Sequence, residues 1–385
     1  MNTTTKYNIN NSNTSLISIP ISTIKLDKNN KFKLAGFDID GTIIKTKSGK
    51  SFAENKNDWT LLYDNTKSFL TDLINKEYTI VFFSNQGGIG KGKQDREEWI
   101  NKINNVVDHL NISPGIQIYA ATESNKYRKP SIGMCKAFLE QYDLDMSNID
   151  KENSFYCGDA GGRIKDWKKS MKKDFSDSDR KYALNLDIPF FTPEELFLQQ
   201  NKTNKYILKG LNPTNIQNLT AQNKPINFEE VFVNKQQLFI NIGYPGSGKS
   251  TFTKKFVKIK VANQDTCKTA AKCLKLCTDS VKEGHNIIID NTNPDKKTRK
   301  KYIDAVKKIN KEIHITCLHF TTSMEIAQHN NRYRNITQGV KRIPDVVYYT
   351  YRKKLEKPTL DEGFDKIIEV PFILDNVSEE YFMWS

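Results

Sequence analysis

A chain of 385 residues is too long for one compact core and suits two domains with a linker. A hydrophobic fraction of 37%, with 21 Phe and 16 Tyr, is enough for ordinary cores and excludes a disordered chain. Lys and Arg number 59 against 45 Asp and Glu, a formal net charge of +14 that favours a polyanionic partner, nucleic acid before an anionic membrane.

The first residues are polar and carry no secretory pattern, and the longest apolar runs, such as Tyr78 to Phe83, are far too short to span a bilayer. Six Cys lie scattered without secretory spacing, so a reduced, soluble, intracellular protein is expected. Cys267, Cys273 and Cys277, with His285 further on, include no CxxC pair, and buried thiols account for them better than zinc.

Residues 1–30 are rich in Asn, Thr and Ser without periodicity and are expected to form a flexible arm. From Lys31 the run KFKLAGFDI predicts a buried strand. YTIVFFSN, IQIYAAT and SFYCGD predict three more, each preceded by a helix-like segment. Such alternation over residues 31–200 implies an α/β domain with a doubly wound parallel sheet.

Asp38 and Asp40, in GFDIDGT, sit two apart where the first strand ends. In extended backbone residues i and i+2 face the same side, so both carboxylates converge. Gly41 and Thr42 then turn the chain away from the crevice where open parallel sheets bind ligands. Converging carboxylates repel unless a cation or a shared proton relieves them, and oxygen donors of this kind suit Mg²⁺. Later strand ends supply Ser84 and Asn85, then Lys129 in YRKP, then Asp159 in CGDAGGR. A carboxylate nucleophile, an adjacent acid/base, a hydroxyl and a lysine around a metal compose a phosphoryl-transfer site. Taken alone, Asp-x-Asp-Gly reads equally well as a turn with a capping residue.

FDIDGT, SNQ, the Lys of RKP and GDAGGR resemble the ordered motifs of the haloacid-dehalogenase phosphatases. The resemblance implies that Asp38 attacks the phosphate, while Asp40 protonates the leaving oxygen and then activates water. It also implies that Ser84 holds a phosphate oxygen, that Lys129 steadies the charge, and that Asp38, Asp40 and Asp159 hold Mg²⁺.

Residues 201–232 lose the pattern and predict a linker, and residues 233–385 resume it with the strands QLFINIG, NIIID and IHITCLHF. Between the first of these and a helix-like TFTKKF lies GYPGSGKS, Gly243 to Ser250, the Walker A pattern in its proper context. Gly243, Gly246, Ser247 and Gly248 let backbone N–H groups wrap the phosphates of ATP or GTP, and Lys249 reaches the β/γ oxygens. Ser250 and Thr251 open the helix, with Ser250 a ligand for Mg²⁺.

Further on, Asp265 in NQDT is placed to activate an acceptor, and Asp290 in IIIDNTN to hold metal or to orient Asp265. Arg332 and Arg334, in HNNRYRN, fall on a lid helix and are suited to clamp the transferring phosphate, although an exposed Arg pair is also an ordinary solvated face. With the phosphate loop, the set describes a small P-loop kinase acting on a hydroxyl.

Over about residues 31 to 380 the chain resembles the eukaryotic polynucleotide kinase 3′-phosphatases. The carrying stretches are FDIDGTIIKTKSGK, SNQGGIGKGK, GDAGGR, KKDFSDSDRKYALNLDIPF, GYPGSGKSTF, IDNTNPD, HNNRYR and YYTYRKKLEKPTLDEGF. The resemblance implies a haloacid-dehalogenase-like 3′-phosphatase followed by a P-loop 5′-hydroxyl kinase, with Mg²⁺ and ATP. It implies nucleic-acid ends as substrates, DNA before RNA, and a nuclear location. The family's amino-terminal phosphopeptide-binding domain is not expected, since only about 30 residues precede the first motif. Where the family usually has an Arg before the acceptor-activating Asp, this chain has Gln264; Ala270 replaces an aromatic and Lys272 stands at a basic position. An altered acceptor pocket follows. The basic runs KKTRKKY and KKSMKKDF stay open between phosphate contacts and solvated helix faces, and Trp59 and Trp167 between base stacking and core filling.

Overall fold

The computed structural model describes residues 14–20, 24–51, 53–112, 115–256 and 259–385. The chain divides into two compact units, one of Met1–Lys209 with Met383–Ser385 and one of Gly210–Phe382.

The first unit has strands β1 (Leu16–Pro20), β2 (Lys33–Phe37), β3 (Ile44–Lys45), β4 (Thr60–Leu61), β5 (Tyr78–Asn85), β6 (Gln117–Ala121), β7 (Phe155–Cys157) and β8 (Phe190–Phe191). Six of these form one sheet in the order β1-β6-β5-β2-β7-β8, parallel except for β1, and β3 pairs with β4 in a separate ribbon. Helices α1 (Thr66–Asn75), α2 (Gly87–Gly90), α3 (Arg96–Leu110), α4 (Gly133–Gln141), α5 (Ser178–Leu186) and α6 (Pro193–Phe197) complete it. Ile80 to Ser84 of β5 are all buried, because a parallel strand covered on both faces must be apolar throughout. Phe37, Phe82, Leu70 and Trp99 build one core, and Val81, Phe83, Phe138 and Tyr182 the other. The longest described helix of this unit, α3, is capped by Asp95, whose carboxylate accepts from Glu98 N at 2.8 Å, and it ends at the left-handed Asn111.

The expected flexible arm is corrected in part. Leu16–Pro20 pair antiparallel with β6, and Ile17 and Ile19 are fully buried, because LISIP is apolar enough to complete the sheet edge. Residues 1–13 and 21–23 of that arm lie outside the described residues.

The second unit has α7 (Ile216–Thr220), β9 (Gln237–Ile242), α8 (Lys249–Thr253), β10 (Lys260–Ala262), α9 (Gln264–Cys267), α10 (Ala270–Lys282) and β11 (Ile287–Ile289). It continues with α11 (Lys296–Lys307), β12 (His314–Phe320), α12 (Met324–Gln338), α13 (Asp345–Lys354) and β13 (Lys366–Val370). Its five strands are all parallel in the order β10-β11-β9-β12-β13. In each unit the first parallel strand, β2 or β9, lies between two later ones, so the connections leave it in opposite directions. The crevice this opens at its carboxyl end is the place for a ligand.

The expected linker and carboxyl-terminal boundary also shift. Ile207 N donates to Gly162 O and Ile164 N to Lys205 O, so residues up to Lys209 fold with the first unit. From Gly210 the chain belongs to the second, where Ile216 is fully buried and Asn223 Nδ2 donates to Phe372 O at 2.9 Å. Trp384 N donates to Asn185 Oδ1 at 2.7 Å and Asn185 Nδ2 to Trp384 O at 2.8 Å, which places Met383–Ser385 in the first unit.

Candidate active sites

Asp38 is the first residue beyond β2, held there by its N–H donating to Cys157 O at 2.9 Å. Lys129 Nζ lies 2.6 Å from Asp38 Oδ1, 2.7 Å from Asp179 Oδ1 and 2.8 Å from the Tyr156 hydroxyl. Its backbone is latched to Asn85, with Lys129 N donating to Asn85 Oδ1 at 2.9 Å and Asn85 Nδ2 to Lys129 O at 3.2 Å. Asp38, Asp159 and Asp179 each bring a carboxylate oxygen within 4.8 Å of the others.

Three carboxylates therefore share one buried ammonium. Burial, with the charges of Asp179 and Asp40, pushes Asp38 up to about 7 against the pull of Lys129. Burial first, then Asp38 and Asp179, raises Asp159 well above the usual carboxylate range. For Lys129, burial works against its charge, but Asp179 and Asp38 outweigh it and hold the ammonium above its ordinary value. A surplus of buried hard oxygen donors fits Mg²⁺, which would keep all three ionised.

Asp40 is placed differently from expectation. Its carboxylate accepts from Gln86 Nε2 at 2.7 Å and Lys102 Nζ at 3.2 Å and stands outside the trio. Gln86 Nε2 also donates to Ser84 Oγ at 2.8 Å, which joins Ser84 to the exposed Asp40. Gly41 has φ +81°, and a Cβ there would lie 2.7 Å from Asp159 Oδ2, so a side chain would displace the carboxylate.

Asp179 was not among the residues expected from sequence, nor were Lys102, Gln86 and Tyr156. Asp179 lies in α5, 1% exposed, and accepts from Ala160 N at 3.0 Å. Asp179 lies within KKDFSDSDRKYALNLDIPF, one of the stretches that carry the resemblance, but nothing in the spacing selects it from its acidic neighbours.

The trio gives a pH-dependent expectation. The Asp38 and Asp159 carboxyls hold protons more tightly folded than unfolded. Without a cation their contribution to stability is present at low pH and is lost as pH rises through about 7, the value for Asp38. Mg²⁺ should therefore raise the Tm of the first unit more at pH 8 than at pH 5, by calorimetry on the full chain. Equal shifts at both pH values would mean that the trio does not carry the cation.

In the second unit the loop after β9 turns into α8. Gly246 has φ +78°, and a Cβ on it would fall 2.6 Å from Ala327 O, so the loop lies flush against α12. Asn330 Nδ2 donates to Gly246 O at 2.9 Å and Thr322 Oγ1 to Ser247 O at 2.9 Å, and the buried Tyr381 hydroxyl in turn holds Asn330 Oδ1. Lys249, 8% exposed, donates to the carbonyls of Gly243, at 2.9 Å, and Tyr244. Burial draws its ammonium down to about 8, against an upward pull from Asp290.

Asp290 is buried beyond the end of β11 and accepts from Asn241 Nδ2 at 3.0 Å. Ser250 and Thr251 are exposed in the first turn of α8. A carboxylate and a hydroxyl beside a phosphate loop form the small donor set that Mg²⁺ completes with waters and phosphate oxygens. Gln264 and Asp265 are exposed in the first turn of α9, where Asn263 Oδ1 accepts from Asp265 N at 2.7 Å.

Arg332 and Arg334 both lie on α12, but two residues apart on a helix they point to different sides, Arg332 half-buried and Arg334 exposed. Burial, with the Asp345 charge, pushes the Tyr348 hydroxyl up to about 12, against Arg334, Arg342 and Arg332. The Tyr348 ring stacks at 6.3 Å on Tyr244 of the phosphate loop.

Of the other sequence signals, KKTRKKY opens α11, where Arg299 is fully buried against Glu362 and Lys296, Lys297, Lys300 and Lys301 are exposed. KKSMKKDF forms an irregular loop instead of a helix. Trp59 packs on the first core, edge-on to His109 at 5.7 Å, while Trp167 lies half-buried with the Arg163 guanidinium 4.1 Å from its ring. Cys273 and Cys277 face a core, and His285 is exposed near Glu283.

A family model described as polynucleotide kinase 3 phosphatase matches residues 33–197, and one described as an AAA domain matches residues 259–358. A protein of Schizosaccharomyces pombe described as a bifunctional polynucleotide phosphatase/kinase is 35% identical over 351 residues, 90% of this chain and 81% of its own length. The chain belongs to the bifunctional polynucleotide phosphatase/kinase family. A viral family relative, from Acanthamoeba polyphaga mimivirus, is 36% identical over 378 residues, 90% of this chain and 88% of its own. The polynucleotide 3′-phosphatase of Saccharomyces cerevisiae is 32% identical over 211 residues, which cover 42% of this chain and 85% of the yeast protein. The phosphatase unit and the kinase unit of this family member are thus the two sheets described above. No helix among the described residues is long and apolar enough to cross a membrane.

Proposed function

We propose that this chain heals nucleic-acid ends in the nucleus, principally at DNA strand breaks: the first unit removes 3′-phosphate and the second phosphorylates 5′-hydroxyl with ATP. The observation that carries this reading is a pair of phosphoryl-transfer constellations on one family member, Lys129 among buried carboxylates and Lys249 in a phosphate loop. The formal charge of +14 supports a polyanionic substrate.

In the phosphatase unit Asp38 attacks phosphorus, forming an aspartyl-phosphate as the bond to the 3′-oxygen breaks. Asp40, exposed and oriented by Gln86 and Lys102, gives that oxygen a proton, then takes one from the water that releases phosphate. Lys129 and Ser84 bind phosphate oxygens. In the kinase unit Asp265 takes the proton of the 5′-hydroxyl as its oxygen attacks the γ-phosphorus and the bond to the bridging oxygen of ADP breaks. Lys249, Arg332 and Arg334 bind the phosphate charge. Mg²⁺, held by Asp38, Asp159 and Asp179 in one unit and by Ser250 and Asp290 in the other, would neutralise the phosphates in both reactions.

The test is an end-labelled oligonucleotide bearing a 3′-phosphate and a 5′-hydroxyl, as DNA and as RNA, with Mg²⁺ and ATP. Conversion of both ends is expected, faster on DNA. A higher rate on RNA would reassign the enzyme to RNA end healing, and inert ends with rapid hydrolysis of small phosphate esters would remove nucleic acid as substrate.

Gln264 is exposed beside Asp265, where a longer cationic side chain can meet a strand phosphate. Gln264→Arg is expected to lower KM for the 5′-hydroxyl strand several-fold with kcat little changed; an unchanged KM would remove Gln264 from the acceptor path.

A further inference from the structure

β9 reads QLFINI and is buried at every position, inside a parallel sheet where apolar side chains are expected throughout. Gln237, at the start of the strand, has its amide paired: Oε1 accepts from Val233 N at 3.1 Å and Nε2 donates to Val231 O at 3.2 Å. Asn241, near the other end, is different. Its Nδ2 donates to Thr253 Oγ1 at 2.9 Å and to Asp290 Oδ1 at 3.0 Å, while its buried Oδ1 has no hydrogen-bond partner among the described residues. A leucine has nearly the same shape and would leave no orphaned oxygen, so stability alone does not account for an amide here. What the amide can do and a leucine cannot is donate to a carboxylate.

The contact falls where the kinase chemistry needs order. Ile289 of β11 is level with Ile240 of β9, so one residue further Asp290 comes level with Asn241 at the carboxyl ends of the two strands. Thr253 closes α8, the helix that the phosphate loop runs into, so one side chain ties together β9, the end of β11 and α8. Asn293 Nδ2 in turn donates to Asn241 O at 2.7 Å, which holds the β9 backbone at that point. Lys249 lies near enough to feel the Asp290 charge, yet its ammonium donates to the carbonyls of Gly243 and Tyr244. The Asp290 carboxylate is directed by Asn241, not by Lys249.

We infer that Asn241 is a positioning residue for the kinase: its amide holds Asp290 Oδ1 and keeps that carboxylate turned to receive Mg²⁺ instead of closing on the Lys249 ammonium. Holding one oxygen fixes the plane of the carboxylate and gives Oδ2 to the cation, while Lys249 stays available to phosphate. Asn241 acts through Asp290 alone. The inference rests on the kinase reading proposed above.

The experiment compares the full chain with Asn241→Leu, which keeps the volume and loses the donor, and Asn241→Ser, which keeps a hydroxyl on a shorter side chain. ATP binding is measured by calorimetric titration with Mg²⁺ and again in EDTA, and the 3′-phosphatase is followed on the same preparations. Both variants are expected to keep their ATP affinity in EDTA and to lose about ten-fold of the affinity that Mg²⁺ adds. They should also need about ten-fold more Mg²⁺ for the half-maximal kinase rate, with the phosphatase unchanged. A Mg²⁺ gain equal to wild type in either variant, or an equal loss with and without Mg²⁺ in both, would make Asn241 a packing residue and overturn the inference. Wild-type protein that binds no ATP would instead overturn the kinase reading, and the positioning role with it.

Discussion

Asp38→Asn is expected to remove the 3′-phosphatase activity, by a factor on the order of 10⁴ or more, and to leave the 5′-kinase as it was. The amide cannot form the aspartyl-phosphate, and it takes one anion from the trio that would hold Mg²⁺. The fold should survive, because Lys129 keeps its 2.7 Å contact with Asp179 and the Tyr156 hydroxyl at 2.8 Å, so no buried charge is left alone. Removing a carboxylate whose burial pushes it up to about 7 is even expected to stabilise the metal-free unit at pH 8. Both activities are read on one oligonucleotide carrying both ends. Loss of the kinase as well, in folded protein, would overturn the assignment of the chemistries to separate units.

Lys249→Ala is expected to do the reverse, lowering the kinase by a factor on the order of 10³ or more and sparing the phosphatase. Lys249 now donates to the Gly243 and Tyr244 carbonyls and lies within reach of the Asp290 charge. Its burial draws the ammonium down to about 8, so above that pH the free protein must take up a proton to bind phosphate in the ammonium form. ATP affinity should be flat below pH 8 and weaken by up to about ten-fold per unit above it. Calorimetric titration from pH 7 to 9 reads this directly, and a Lys249→Ala protein that keeps its kinase rate would remove Lys249 from the transfer step.

Much of both sites was legible because strand-end chemistry is local in sequence. Asp38 and Asp40 are fixed by a spacing of two on extended backbone, and Lys249 by a loop whose glycines can be counted. What was not legible arrives through tertiary packing. Asp179 and Lys102 sit on α5 and α3, amid other charged residues, and only the packing of those helices on the sheet shows which carboxylate meets Lys129 and which amine meets Asp40. Gln86, two residues beyond Ser84, holds the Asp40 carboxylate and the Ser84 hydroxyl together, a contact that no spacing announces. β1 escaped notice because LISIP is five residues within a polar stretch, and its pairing partner lies about a hundred residues away.

That small strand decides how the phosphatase sheet behaves toward other copies of itself. A sheet edge is a row of unpaired N–H and C=O groups, ready to template a second chain. Here one edge is β1, five residues closing on Pro20, which has no N–H to offer, and the other is β8, two residues long. A shorter chain begun at Lys31 would keep every catalytic side chain and yet bare the full flank of β6, with Ile118 and Ala120 at its centre. Leu16 to Pro20 cover that flank of β6.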